Sequence, residues 1–295
     1  MNTPCTSFEN ENRLHLFCSS FNFDQYPLNR LHSLSLIEIK FNELLHLSSR
    51  FHILLPKLQL LTIETHQPIS VFQLNNLCTT TIFNRLALAS LRICSLTFYH
   101  SNRVLVQNKI VESNIEILNI GYLCSVNNLL TILQCTKHLR RLSIALWEDA
   151  DHYAGNINSI SMVCSSLKYF HLNLAFDVSF QKLLNVFHYM PNLETLIIKG
   201  TFGDKHYIKG EESKHVFSTI LTLLKRFSLN IETKQRQPLS IDVSDLSSRY
   251  FTDYWQQQNF NVHYQIDPSR SMLNVNGVPV RASHVKLVVD GRFIR

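Results

Sequence analysis

PNLETLIIKG, residues 191–200, decides how this chain folds. Leu193, Leu196 and Ile198 stand at the spacing L-x-x-L-x-I. The last two, two residues apart, share one face of a strand, and the three-residue step before them suits a turn leading into it. Pro191 follows a stretch with a helical stripe, Leu183, Leu184, Val186, Phe187 and Met190 in SFQKLLNVFHYMPNL. There it is expected to end the helix and aim the chain into extended geometry. Ser179 is placed to cap the start of that helix.

The same spacing recurs through the chain. Leu31, Leu34 and Leu36 carry it in LHSLSL, Leu58, Leu61 and Ile63 in LPKLQLLTI, and Ile93, Leu96 and Phe98 in RICSLTF. Ile115, Leu118 and Ile120 follow in NIEILNI, Leu139, Leu142 and Ile144 in HLRRLSI, and Leu167, Phe170 and Leu172 in SSLKYFHL. After residues 191–200, Leu224, Phe227 and Leu229 complete the set in LLKRFSL. Successive middle positions lie 22 to 35 residues apart, in or near the roughly 20–29 residues of a leucine-rich repeat. Helical stripes lie between copies, as in SVNNLLTILQCTKHL, so the unit reads strand, loop, helix, turn. A bundle of amphipathic helices is the rival reading. Against it stands the strand-like alternation of RRLSIAL, KYFHLNL and ETLIIKG.

The expected fold is therefore α/β: a leucine-rich-repeat solenoid, a curved parallel sheet with helices on its convex side. One unit cannot bury its own leucines. Each gains about 1.5–3 kcal/mol only when a neighbouring unit covers it. Residues 1–14 are expected to be disordered, 15–233 to form about eight irregular repeats, and 234–295 to cap the last of them. Trp255, Phe260 and Tyr264 would supply the apolar face of the cap, and VPVRASHVKLVVDGRFIR reads as one or two strands.

Composition narrows the function. Hydrophobic residues make up 45% of the 295 and charged residues 17%, so the chain must bury much of itself. The formal charge of +6 is scattered, which does not favour nucleic acid. Seven cysteines, Cys5, Cys18, Cys78, Cys94, Cys124, Cys135 and Cys164, include no C-x-x-C pair. They read as reduced, mostly buried thiols of a cytoplasmic or nuclear protein. No N-glycosylation sequon occurs, the first residues lack a signal-peptide pattern, and the two uncharged stretches long enough to span a bilayer are rich in amides. Neither membrane nor secretion is expected.

Chemical signatures are lacking. G-x-S-x-G, H-E-x-x-H, G-x-x-x-x-G-K and G-x-G-x-x-G are absent, and only seven glycines are present, so no enzyme activity and no cofactor is expected. The fourteen histidines are spread out, without the spacing of a metal site. The acidic pairs Asp149 with Asp151 and Glu211 with Glu212 read as solvated turn residues.

A ligand would meet the outward residues beside the strand anchors. The early strands offer Ser33, Ser35 and Ile37, then Leu60, Thr62 and Glu64, then Ser95, Thr97 and Tyr99. The later ones gather Arg141, Tyr169, His171, Thr195, Ile197, Lys199 and Arg226. Aromatic and Arg side chains are favoured interface anchors, so this is the candidate protein-binding concave face, suited to an acidic partner.

These units resemble the degenerate repeats of F-box/leucine-rich-repeat proteins. YIKGEESKHVFSTILTLLKRFSLNI and the later YFTDYWQQQNFNVHY are similar to the way many invertebrate members finish. The resemblance implies a scaffold whose repeats hold a substrate for ubiquitination, with an F-box ahead of them docked on a Skp-type adaptor. Residues 1–30 are too short and polar to supply that F-box. The second expectation is a stand-alone scaffold or inhibitor of the ribonuclease-inhibitor type. The chain also departs from the repeat consensus: the loop Asn or Cys would fall at Ile39, His66, Ser101, Leu123, Trp147, Ala175, Thr201 and Glu232, and none is Asn or Cys.

Overall fold

A computed structural model describes residues 5–8, 28–67, 69–98, 112–147, 163–175, 178–202, 205–208, 210–233, 255, 260–266, 271–272, 281–282 and 285–293. The fold is α/β, with mostly parallel strands joined through helices. The chain divides into two compact units, 1–145 and 146–295.

In the first unit the strands β1 (Cys5–Phe8), β2 (Ser33–Ile37), β3 (Leu60–Thr65), β4 (Ile93–Phe98), β5 (Ile117–Cys124) and β6 (Arg141–Leu146) lie side by side in chain order. The pairs from β1 to β5 are parallel, so each connection must cross back over the sheet. The helices α1 (Phe41–Ser48) and α2 (Phe51–Leu54) lie in the crossing from β2 to β3 and α3 (Val71–Leu77) in that from β3 to β4, while α4 (Val126–Cys135) lies between β5 and β6. Ser70 and Gln73 close a capping box on α3, and the Ser125 hydroxyl accepts from the Asn128 N–H to start α4. These bonds satisfy donors that a helix start leaves open. Within residues 1–14, expected to be disordered, Cys5–Phe8 pair in register with Ser33–Leu36.

One repeat is displaced from its expected frame. Leu61 pairs with Cys94, and Cys94 with Leu118, while Ile63 and Ile120 both pair with Leu96. The third unit is thus anchored by Leu91, Cys94 and Leu96, all buried, whereas Ile93 is half-exposed. A slip of two keeps every side chain on its face, so alternation alone cannot detect it. Buried Cys behaves as a small hydrophobe and fills a leucine position. The outward residues of this unit become Ile93, Ser95 and Thr97 instead of Ser95, Thr97 and Tyr99.

Main-chain bonds confirm that frame. The His32 carbonyl accepts from the N–H groups of both Gln59 and Leu60, Gln59 from Arg92 and Ile93, and Arg92 from Glu116 and Ile117. One residue earlier in each strand approach, Leu31, Leu58 and Leu91 donate to the carbonyls of Leu28, Leu55 and Leu88. Side chains add a second ladder: Ser90 Oγ donates to the Pro56 carbonyl, and Asn114 Nδ2 to the Ala89 carbonyl, each across 2.8 Å.

The second unit repeats this scheme. It contains β7 (Tyr169–Leu174), α5 (Phe180–Phe187), β8 (Thr195–Phe202), α6 (Gly210–His215) and β9 (Arg226–Thr233), followed by β10 (Asn261–Ile266), β11 (Ser271–Met272), β12 (Arg281–Ala282) and β13 (Val285–Arg292). β7, β8 and β9 are parallel neighbours. β13 then pairs antiparallel with β9, and β10 with β13, while β11 and β12 form a separate antiparallel pair. The Lys168 carbonyl accepts from Glu194 and Thr195, and that of Glu194 from Lys225 and Arg226. Asn192 Nδ2 donates to the Ser165 carbonyl, also at 2.8 Å.

Ser179 caps α5 by accepting from the Lys182 N–H. The helix ends at Phe187, ahead of Pro191. Tyr189 and Met190 donate to the carbonyls three residues back, Val186 and Phe187, so the last turn tightens before the proline is reached. Pro191 therefore lies in the turn between helix and strand. Trp255 is fully buried, edge-on to Phe217 at 5.8 Å and to Phe260 at 5.2 Å. Phe260 in turn meets Phe227 at 6.3 Å, so the closing segment covers the last parallel strand. Tyr264 falls in β10.

Candidate functional site

Strand alternation places the candidate residues. The anchors Phe170, Leu196 and Phe227 are buried, and their neighbours point to the opposite face of the sheet. Tyr169 pairs with Thr195 and Thr195 with Arg226, His171 with Ile197 and Ile197 with Ser228, and Asn173 with Lys199 and Lys199 with Asn230. Six of the seven candidates, Tyr169, His171, Thr195, Ile197, Lys199 and Arg226, therefore share one face of three adjacent strands. Arg141 belongs to the first unit, exposed at the start of β6 beside buried Leu142.

The electrostatics of this face are mixed. Partial burial and the nearby Lys199 ammonium hold the His171 imidazole below its usual pKa, favouring its neutral form. Among the described residues, Lys199 and Arg226 form no ion pair, in contrast to the turns leading into the strands. There Lys168 Nζ and Lys225 Nζ lie 2.9 and 2.6 Å from the two Glu194 oxygens. Hydrogen bonds from Lys225 and then Lys168 depress that carboxyl to about 2. Glu116 plays the same part in the first unit, 3.6 Å from both Arg92 and Arg140.

Two features escaped the sequence reading. The ion pairs just described use the residue immediately before each strand, Arg92, Glu116 and Arg140 in the first unit and Lys168, Glu194 and Lys225 in the second. Each set reads cation, acid, cation at one position ahead of successive strands, a signal present in the sequence beside the apolar anchors. The second is β13, which sets Arg292 opposite Arg226 and Asp290 opposite Ser228. The alternation of HVKLVVDGR gave a strand, and nothing local gave its partner.

The remaining candidates carry no shared site. Glu211 lies 3.4 Å from Lys214, and Glu212 3.9 Å from His206, so the two carboxylates are engaged separately. Asp149 and Asp151 lie outside the described residues, as do Cys18, Tyr99 and Ser101. Cys78, Cys94, Cys124, Cys135 and Cys164 are buried free thiols. Burial pushes the Cys78 thiol up to about 12 and raises those of Cys94 and Cys124 well above their ordinary value too, which removes them as nucleophiles. Of the loop positions where the consensus Asn was missing, Leu123, Thr201 and Glu232 lie within extended strands, and the His66 ring pairs with the Glu38 carboxylate.

Among the described residues no group of His, Cys, Asp or Glu is arranged to hold a metal ion, and no helix is long and apolar enough to cross a membrane. No protein-family model matches the chain, and no curated protein matches it.

Proposed function

We propose that the chain is a leucine-rich-repeat solenoid that recognises a protein partner and performs no catalysis, its partner presenting acidic groups to the face around Ile197. The observation carrying this reading is the register of β7, β8 and β9, which assembles Tyr169, His171, Thr195, Ile197, Lys199 and Arg226 from distant stretches into one surface. An aliphatic centre ringed by aromatic and cationic groups is the composition of a protein interface. Lys199 and Arg226 attract acidic groups there, and Arg141 is a separate exposed cation on an outward strand position of the first unit.

The test is charge reversal. Lys199→Glu with Arg226→Glu should cut partner capture from cell extract at least tenfold while leaving the melting temperature near that of the parent. Arg141→Glu reports separately on the first unit. Retention of partners by the double variant contradicts the reading. Co-purification of a Skp-type adaptor with the full-length gene product separates a ubiquitin-ligase receptor from a stand-alone scaffold.

A further inference from the structure

We infer that Arg226 and Arg292 form an anchoring subsite for a phosphorylated side chain on the protein partner, a deepening that rests on the recognition role proposed above. Arg292 on β13 lies directly opposite Arg226 on β9. The neighbouring Phe293 N–H donates to the Lys225 carbonyl. In an antiparallel ladder that makes Lys225 and Phe293 the hydrogen-bonded pair and Arg226 and Arg292 the non-hydrogen-bonded one, in which side chains approach most closely. Their Cβ atoms are about 5 Å apart.

Like charges placed directly opposite one another are destabilising unless a counter-charge offsets them. Both arginines are exposed, and neither forms an ion pair among the described residues. The nearest acid by register is Asp290, opposite Ser228 and so diagonal to Arg226. It offsets one of the two cations at most. Glu194 is already held by Lys168 and Lys225.

The row containing the arginines continues through Thr195 to Tyr169. It therefore sets a phenol and a hydroxyl in line with the two guanidinium groups. A phosphate monoester carries about −1.5 to −2 charge at pH 7 and three acceptor oxygens, which suits this row better than a single carboxylate does. Guanidinium groups bind such oxygens in bidentate fashion, and Arg clusters are a recurrent means of reading phosphorylated motifs.

The experiment uses the full chain and three otherwise identical pools of acidic fifteen-residue peptides, with phosphoserine, glutamate or serine at the central position, read by fluorescence anisotropy. The phosphoserine pool should bind at least tenfold more tightly than the glutamate pool. Arg292→Ala and Arg226→Ala should each abolish that preference while the parent's thermal transition is kept or raised, since each relieves a like-charge contact. Equal binding of the three pools overturns the subsite and leaves recognition at Ile197 standing. Phosphoserine preference that survives both substitutions overturns it too. Sedimentation with phosphatidylserine vesicles that both substitutions abolish, without any peptide preference, assigns the arginines to a lipid surface and likewise overturns it. Failure of the charge-reversal test above, by contrast, removes the recognition role itself.

Discussion

Lys225 Nζ donates to Glu194 Oε2 across 2.6 Å, joining the turns that lead into two neighbouring parallel strands. Lys168 approaches the other oxygen of the same carboxylate from the preceding repeat, so one acid ties three units together. The Glu194 carbonyl repeats the connection in the main chain by accepting from Lys225 and Arg226. Side chain and backbone thus fix the same register.

This ladder has a pH signature. Glu194 titrates near 2 in the folded protein, below its ordinary value of 4.5. A depressed carboxyl stabilises the fold fully above its unfolded pKa and loses that contribution as pH falls through the folded one. Glu194→Gln should therefore melt at a lower temperature than the parent at pH 7, and the difference should close between about pH 4.5 and 2. Thermal melts across that range check it.

Gly200 has φ +119°, a conformation that side-chain-bearing residues rarely adopt, and a Cβ there would collide with the Leu174 carbonyl oxygen. The adjoining strand leaves no direction of relief. Gly200→Ala should lower unfolding stability by about 1–3 kcal/mol or more. The expected reading is a lower urea midpoint with an unchanged m-value.

Trp255 bridges the closing segment to the last parallel strands through Phe217 and Phe260. Trp255→Ala should cost about 3–5 kcal/mol. Hydrogen exchange should then rise in β9 and β13 well before it rises in β3 or β4.

Cys94 occupies a leucine position between Leu61 and Leu118. Its thiol, with those of Cys78 and Cys124, should resist iodoacetamide at pH 8 in the native protein and react promptly in urea. Cys94→Ser should cost about 1–3 kcal/mol, because the hydroxyl would be taken from water into an apolar site.

The sequence was most legible where a signal is local and periodic. Leu193, Leu196 and Ile198 gave the strand, Ser179 gave the helix start, and alternation put Thr195, Ile197 and Lys199 on one face. It was least legible where pairing decides. The slip from Leu96 to Cys94 preserves the period of two and shows only against the neighbouring strands. Pro191 marked the coming turn, but the helix had already stopped at Phe187 through bonds that any residue can make. Arg292 reaches Arg226 through a non-local antiparallel pairing, and no pattern within either strand encodes that meeting.

The face around Ile197 is tested most directly by photocrosslinking. A benzoylphenylalanine placed at Ile197 should yield a discrete protein adduct, mapped to an acidic segment of the partner and weakened by Lys199→Glu. The same group at exposed Gln181 on α5 should yield none. Adducts from Gln181 with none from Ile197 would place recognition on the helical side and contradict the account.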